Sequence, residues 1–238
     1  MKITVINGSP KGSKSNTLKL TNAFIEGIKR ITDVEVQTVT IVDEDIKDCK
    51  GCFVCWCAKT AGSCAIKDDM EDVRKKIMWA DLIIESFPIY FFGMPGPMKR
   101  FTDRCLPFTY AYLGTSAKGK QGKLHEMFPE IEKKKLVVFT TCGYTETDVI
   151  YDSLIKEYDL ICGDGYTFVS CPQGELFGKE AFNEIAGAKL GKVSVAGEEF
   201  ARNGVLSDET IESIKKPMIP QRAFAMVLDK YFNGDGNN

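Results

Sequence analysis

The chain has 238 residues, of which 44 % are hydrophobic and 27 % are charged, and its formal net charge is -2. This size and composition are typical of a globular protein with a well-buried core. The near-neutral charge argues against a nucleic-acid partner, and no apolar run reaches the roughly 18 residues of a membrane helix. We therefore expect a cytoplasmic protein, in which nine cysteines are more typical of reduced thiols or metal ligands than of disulfides.

Short apolar runs alternate with longer amphipathic stretches, which predicts strand-helix units around a mostly parallel sheet. The predicted strands cover 2–7, 34–41, 82–88, 135–141 and 166–171. The predicted helices cover 17–31, 69–79, 97–113, 148–158, 179–202 and 221–232, and Ser207 opens a further short one. The polar segment 115–134 is predicted to be an insertion or lid.

Two of these helices carry additional local signals. In helix 17–31, one face is apolar and is expected to be buried; its residues are Leu20, Phe24, Ile28 and Ile31. Asp68 or Asp69 stands at the start of helix 69–79 and is expected to cap it. These carboxylates are therefore interpreted as structural rather than as a metal or acid-base pair.

The first strand runs into a loop of small and hydroxylated residues, from Gly8 to Ser15, and then into a helix start. Loop amides and hydroxyls can donate hydrogen bonds to phosphate oxygens, and the positive end of the next helix faces the same anion. The triphosphate-loop motif would need glycine in place of Ser13, and the dinucleotide motif would need glycine in place of Pro10. The loop therefore predicts a site for one monophosphate, although the same residue types also form turns that bind nothing.

Ligands of open parallel sheets bind beyond the carboxyl ends of the strands. The loop after the third strand, 88–97, contains three aromatic residues and two glycines, and the loop after the fourth strand, 140–144, contains Gly143 and Tyr144. Aromatic faces, backbone amides and glycines that allow close approach are what a flat heteroaromatic ring needs. Core packing is the alternative role for Tyr90, Phe91 and Phe92.

Several motifs together resemble one known family. They are Gly8-Ser9-Pro10, Ser15-Asn16-Thr17, Cys49-x-Gly51-Cys52-x-x-Cys55, Pro88-Ile89-Tyr90 and Lys99-x-x-x-Asp103-Arg104. The chain resembles the NADPH-dependent FMN reductases of the flavodoxin-like class, and in particular the iron-sulfur flavoprotein branch. The resemblance implies an α/β, flavodoxin-like three-layer sandwich with a five-stranded parallel sheet of order 2-1-3-4-5 and helices on both faces. It also implies one domain over 1–238, with a cysteine-rich loop at about 49–64 and a C-terminal helical extension at about 205–238.

The same resemblance implies FMN as cofactor and NAD(P)H as co-substrate. Hydride would pass from NAD(P)H to FMN and then to an acceptor such as a flavin, a quinone or a small electrophile. No catalytic side chain is expected, since the flavin carries the chemistry. The residues implied at the phosphate are Ser9, Lys11, Ser15, Asn16 and Thr17. Those implied at the ring are Pro88, Ile89, Tyr90, Phe91, Gly93, Met94, Thr141, Gly143 and Tyr144.

The cysteine-rich loop is the second strong signal. Cys49, Cys52 and Cys55 match the first three positions of a ferredoxin-type run, and Cys64 is the fourth ligand expected for a 4Fe-4S cluster. Eight residues separate Cys55 from Cys64, which is longer than is typical of the branch. A cluster, structural zinc and free thiols therefore all remain open.

Assembly and alternative functions follow from the same features. The cysteine-rich loop carries the apolar Phe53, Val54 and Trp56, which predicts that the loop is covered. The family resemblance implies a homodimer or homotetramer, in which a neighbouring subunit would cover it. The only histidine, His125, is expected to be a solvated surface residue. Besides the reductase, the sequence leaves open an iron-sulfur flavoprotein that transfers electrons through FMN and a 4Fe-4S cluster, a flavodoxin-like electron carrier and a metal-binding regulatory module.

Overall fold

A computed structural model describes residues 1–111 and 124–234. Five parallel strands form one sheet: β1 (Lys2–Asn7), β2 (Glu35–Thr40), β3 (Leu82–Pro88), β4 (Lys135–Thr141) and β5 (Thr167–Cys171). The sheet order is β2-β1-β3-β4-β5. The helices are α1 (Asn16–Lys29), α2 (Met70–Trp79), α3 (Gly96–Asp103), α4 (Pro129–Glu132), α5 (Asp152–Cys162), α6 (Asn183–Asn203), α7 (Asp208–Lys215) and α8 (Gln221–Asn233). The predicted fold class and strand order are confirmed.

Helices cover both faces of the sheet, and successive strand residues point to opposite faces. In β3, Leu82 and Ile84 pack in the core cluster formed with α1 and α6, whereas Ile83 and Phe87 pack in the cluster formed with α2, α3 and α5. The central strands are apolar on both faces for this reason. The result is a three-layer sandwich whose strand ends meet at one edge.

The contact between α1 and α6 depends on two glycines. A Cβ at Gly27 would collide with the carbonyl oxygen of Ser194, and a Cβ at Gly197 would collide with the carbonyl oxygen of Phe24. The two helix backbones therefore approach more closely than side chains would allow. Helix α1 carries the phosphate loop at its N-terminus, so this crossing fixes one wall of the site.

Several predicted elements differ from the structure. The helix predicted at 97–113 ends at Asp103, and a 3-10 turn follows at Leu106–Phe108. Pro107 accounts for the end, since proline lacks an N–H and its ring clashes with the carbonyl four residues earlier. The predicted insertion at 115–134 lies partly on residues 112–123, outside the described residues, and its end contains α4.

The two expectations for helix faces and caps are only partly met. Ile31 lies beyond the end of α1 and is 36 % exposed, whereas the other three residues of the predicted apolar face are buried. Asp69 occupies the cap position of α2 but makes no capping bond, and its Oδ2 accepts from the Asp45 amide at 2.7 Å instead. Asp68 Oδ1 accepts from the Met70 amide at 3.2 Å, but the main partner of this carboxylate is Arg104. Within 1–111 and 124–234, no helix has both the length and the apolar character needed to cross a membrane.

Candidate functional site

The loops that follow β1, β3, β4 and β5 line one cavity of about 1010 Å³ at the carboxyl edge of the sheet. This volume is at the upper end of the roughly 300–1,000 Å³ usual for small-molecule sites. Ten of the fourteen residues predicted to bind the cofactor line it: Ser9, Lys11, Ser15, Asn16, Thr17, Pro88, Ile89, Tyr90, Thr141 and Gly143. The structure thus brings together three loops that are distant in sequence.

The phosphate loop is held by its own polar side chains. Asn7 is buried at the end of β1, and its Nδ2 donates to the Gly12 carbonyl at 2.9 Å while its Oδ1 accepts from the Ser9 amide at 3.3 Å. Ser15 caps α1, because its Oγ accepts from the Leu18 amide at 3.3 Å. The other amides of the first helical turn have no intrahelical acceptor. Loop and helix therefore offer the kind of donors that an anion site uses.

Two side chains connect this loop to its neighbours. The hydroxyls of Thr17 and Thr141, both buried, lie 2.7 Å apart and share a hydrogen bond. The Nδ2 of Asn16 donates to the Gly174 carbonyl at 2.9 Å. The phosphate loop, the end of β4 and the loop after β5 are therefore fixed relative to one another.

The loop after β3 turns away from the cavity at its tip. Tyr90 and Gly93 exchange two backbone hydrogen bonds, of 3.0 and 3.1 Å, and the two residues between them have positive φ angles. Phe91 at this tip is 99 % exposed. Phe91, Gly93, Met94 and Tyr144 are the four predicted ring residues that do not line the cavity.

The reasons for their absence are visible in their contacts. The Met94 sulfur accepts from the Thr102 hydroxyl at 3.3 Å, so this side chain is turned toward α3. Tyr144 stacks on Phe92 with ring centroids 6.1 Å apart, outside the cavity. Cys142 does line the cavity, and burial raises the pKa of its thiol.

Sequence reasoning missed the far wall of the cavity. Glu175, Lys179 and Phe182 follow β5, and α8 contributes further lining residues; they are Val227, Leu228, Lys230, Tyr231 and Phe232. The loop after β5 lies at the same sheet edge, and this position alone predicts that it contributes to the site. Nothing in the sequence of α8 indicates that it returns to the first loop.

The predicted cysteine ligands lie around a separate, small cavity of about 20 Å³. Cys49 and Cys52 are exposed, Cys64 is half-buried and Cys55 is buried. Burial raises the pKa of the Cys55 thiol, and the three nearby thiols add to the rise. Among the described residues, no three Cys, His, Asp or Glu side chains are arranged to hold a metal ion. The four thiols are therefore neighbours without forming a preformed ligand set.

The aromatic residues of the cysteine-rich loop are partly covered within the chain. Trp56 stacks between Phe53, at 5.2 Å, and His125, at 5.0 Å, and its Nε1 donates to the Thr109 hydroxyl at 3.3 Å. His125 is half-buried in this stack, so it is less solvated than the sequence predicted. Phe53 remains 53 % exposed.

A second, mostly apolar cavity of about 870 Å³ lies among α2, α3, α5 and the sheet. Glu85 of β3 lines it, and Glu85 Oε2 accepts a hydrogen bond from the hydroxyl of Tyr158. Burial raises the pKa of Glu85 to about 7 despite this hydrogen bond, and the charge of Glu157 adds to the rise. None of its lining residues is shared with the first cavity.

The comparisons with known proteins agree with this arrangement. The sequence profile of the Flavodoxin_2 family, described as a flavodoxin-like fold, matches residues 1–155. The chain belongs to the Flavodoxin_2 family. The iron-sulfur flavoprotein of Archaeoglobus fulgidus is 38 % identical over 104 residues, which cover 44 % of this chain and 48 % of that protein. The family resemblance inferred from the motifs is thereby confirmed.

Two further similar proteins are informative. The putative NAD(P)H-dependent FMN-containing oxidoreductase YwqN of Bacillus subtilis is 31 % identical over 105 residues, covering 44 % of this chain and 51 % of that protein. The NAD(P)H:quinone oxidoreductase of Methanothermobacter marburgensis superposes with a TM-score of 0.58 at 19 % identity, over 84 % of this chain and 96 % of that one. The second similarity shows the fold alone. The chain spans about half the length of the curated relatives it matches.

Proposed function

We propose that this chain binds FMN and oxidises NAD(P)H, passing the electrons to an acceptor such as a flavin, a quinone or a small electrophile. The observation that carries the proposal is the common cavity. A helix start suited to an anion and two loops suited to a flat ring line the same space, although they come from three distant parts of the sequence. A phosphorylated heteroaromatic molecule is the class of ligand that would contact both the helix start and the two ring loops.

The residues at the phosphate end fit one phosphate group. Ser9 and Thr17 are buried hydroxyl residues, and Lys11 adds an ammonium group at the cavity surface. First-turn amides of α1 that lack an intrahelical acceptor would complete a donor set without a glycine-rich dinucleotide motif. This set favours a mononucleotide over FAD.

The residues at the ring end would orient the flavin rather than react with it. When bound, the flavin supplies the hydride-accepting and electron-donating chemistry. The Ile89 amide donates to the Thr141 carbonyl at 2.9 Å, which ties the loop after β3 to the end of β4. This bond fixes the distance between the two loops that would hold the ring. Tyr90 and Cys142 add apolar surface that limits water at the ring.

The name of one relative supports the same chemistry. The matched relative YwqN carries the name putative NAD(P)H-dependent FMN-containing oxidoreductase. Homo-oligomeric assembly and a cytoplasmic location belong to this proposal as predictions.

The cofactor is tested by mass analysis of the small molecule released from purified protein and by its absorbance spectrum. We expect FMN at close to one per chain. Finding FAD, or no flavin after reconstitution, contradicts the proposal. Turnover of NADH or NADPH with an artificial acceptor then separates a reductase from a simple flavodoxin-like carrier, which would bind FMN without oxidising the nucleotide.

An iron-sulfur flavoprotein is the second proposed function, favoured by the four cysteines around one small cavity. The arrangement seen here is not a preformed cluster site, and no electron-transfer step is assigned to it. Iron and acid-labile sulfide analysis of anaerobically purified protein decides between the two functions. About four irons per chain would favour the iron-sulfur protein, and their absence would favour the reductase with free thiols.

A further inference from the structure

The C-terminal helix α8 is weakly attached to the hydrophobic core. Phe224 is its one fully buried residue among those described, whereas Met226 is 68 % and Phe232 is 72 % exposed. A helix that buries so little apolar area on the body of the protein gains little from packing. Its position over the flavin cavity therefore needs another explanation.

A buried glutamine anchors the segment that leads into α8. Gln173 has a positive φ of 57° and no exposed surface. Its Oε1 accepts from the amides of Met218 and Ile219, at 2.8 and 3.0 Å, and its Nε2 donates to the Ile219 carbonyl at 2.7 Å. One side chain thus satisfies three backbone groups of the extension.

The backbone around Gln173 is part of the flavin cavity. The Gln173 amide donates to the Tyr144 carbonyl at 3.0 Å, and the Gly174 amide donates to the Cys142 carbonyl at 2.8 Å. The Gly174 carbonyl accepts from Asn16 of the phosphate loop. The start of α8 is therefore fixed by the same turn that joins the ring loop to the phosphate loop.

The far end of α8 is held by a second contact. The Lys179 ammonium lies 4.6 Å from the centre of the Tyr231 ring, which is a cation-π distance. Lys230 of α8 also lines the cavity and, with Lys11 and Lys179, balances the acidic Glu175 and Glu180. The cavity therefore offers an aromatic face and several cations, which suits a phosphorylated ligand.

We propose that α8 forms a wall of the FMN site, with Tyr231 as its contact residue and Lys179 as the residue that positions it. This inference rests on the proposed FMN binding. Contact with the ligand would bury ring surface that is otherwise half exposed, so the ligand completes the packing of α8. Loss of this wall would act mainly by speeding the release of FMN.

The test compares four variants of the whole chain by titration of the apoprotein with FMN, followed by flavin fluorescence. Tyr231→Ala is expected to raise the dissociation constant about three- to tenfold, as for one lost aromatic contact. Lys179→Met should raise it less, and the double variant should show less than the product of the single effects, because both changes remove one contact. Met226→Ala is the matched control on α8, since Met226 is exposed and does not line the cavity. The FMN affinity of this variant should stay within about twofold of that of the unmodified protein.

Hydrogen exchange of residues 221–233 provides a second readout that does not depend on a variant. FMN should slow exchange in α8 of the unmodified protein. Unchanged FMN affinity of Tyr231→Ala, or equal exchange with and without FMN, overturns the role of α8 while leaving FMN binding intact. An unmodified protein that does not bind FMN overturns the proposed function and this inference together.

Discussion

Arg104 and Asp68 form an ion pair whose side chains are both almost fully buried, with Nη1 of the arginine 2.6 Å from Oδ2 of the aspartate. Arg104 also donates to the Lys47 carbonyl at 2.6 Å and to the Cys64 sulfur at 3.5 Å. Burial by itself would raise the pKa of Asp68, but the hydrogen bonds from Arg104 and the Lys47 amide outweigh it, so the pKa lies below its usual value. The pair ties the cysteine-rich loop to the end of α3.

Removing the arginine should therefore be costly. Arg104→Met leaves a buried carboxylate without its cation, and we expect the free energy of unfolding to fall by about 3–5 kcal/mol. Lys99→Met on the neighbouring α3 is the control, because the Lys99 to Asp103 pair is exposed and should cost less than about 1 kcal/mol. Urea denaturation at pH 7 measures both, and similar losses in the two variants would refute the special role of the buried pair.

The same pair predicts an acid effect. A folded-state pKa below the unfolded value of about 3.9 means that the Asp68 contribution is present above that pH and is lost as the pH falls through the lower folded value.

Glu85 predicts the opposite pH dependence. Its pKa rises from 4.5 to about 7 on folding, so the folded chain keeps a proton that the unfolded chain releases. Stability from this group is greatest below about pH 4.5 and falls by about 3 kcal/mol as the pH rises to 7, then stays level. Glu85→Gln should remove this slope, as measured by urea denaturation at several pH values.

Tyr158→Phe is the informative companion to Glu85→Gln. The phenol donates to the carboxylate and lowers its pKa, so its loss should extend the falling region to higher pH. A pH slope that Glu85→Gln leaves unchanged would show that another group titrates.

The helix crossing of α1 and α6 predicts opposite effects for alanine in one helix. Gly197→Ala forces the two backbones apart and should cost about 1–3 kcal/mol, as in other overpacked contacts. Gly187→Ala and Gly191→Ala, where a Cβ would meet no atom within 4 Å, should stabilise by up to about 1 kcal/mol through helix propensity. Thermal denaturation of the three variants tests the crossing, and a stabilised Gly197→Ala would show that the helices have room to spare.

The phosphate loop is tested by Asn16→Ala combined with Thr17→Ala. This double variant loses donors at the anion site and the bond between Thr17 and Thr141, and we expect FMN affinity to drop by about tenfold to a hundredfold. Thr21→Val is the control, because Thr21 is a buried hydroxyl of α1 that bonds to Ser86 and does not line the cavity. Unchanged affinity in the double variant would mean that the phosphate binds elsewhere.

The cysteine-rich loop is expected to be separable from FMN binding, since none of Cys49, Cys52, Cys55 and Cys64 lines the flavin cavity. Cys52→Ser with Cys55→Ser should keep FMN bound. Any iron of the parent protein should disappear with these thiolates, together with the broad visible absorbance beyond the flavin bands. Loss of FMN in this variant would show that the loop contributes to the flavin pocket.

Local patterns were enough to predict the sheet and the position of the polar loop after β1. The apolar runs of the central strands are long and continuous because both faces are buried, and the polar residues predicted at the phosphate lie within one short segment that lines the cavity. Contacts between distant segments were not predictable in this way. Neither the buried pairing of Asp68 with Arg104 nor the return of Tyr231 to the cavity has a local sequence signal, because each depends on how whole elements pack.

The tip of the loop after β3 has a strained backbone and is exposed to solvent. Phe91 and Phe92 have φ angles of 47° and 65°, and a left-handed backbone costs a residue with a Cβ roughly 1–2 kcal/mol. The Tyr90 to Gly93 bridge and the bond from Ser153 to the Phe92 carbonyl, 2.6 Å long, keep the tip in this shape. Phe91 gains little from packing, because its side chain is almost entirely exposed and the contact given for its ring is with Phe92, 5.9 Å away. Phe91 is therefore an exposed aromatic side chain on a strained backbone next to the cavity. Any molecule that covers its ring gains contact area on a loop whose shape is already fixed.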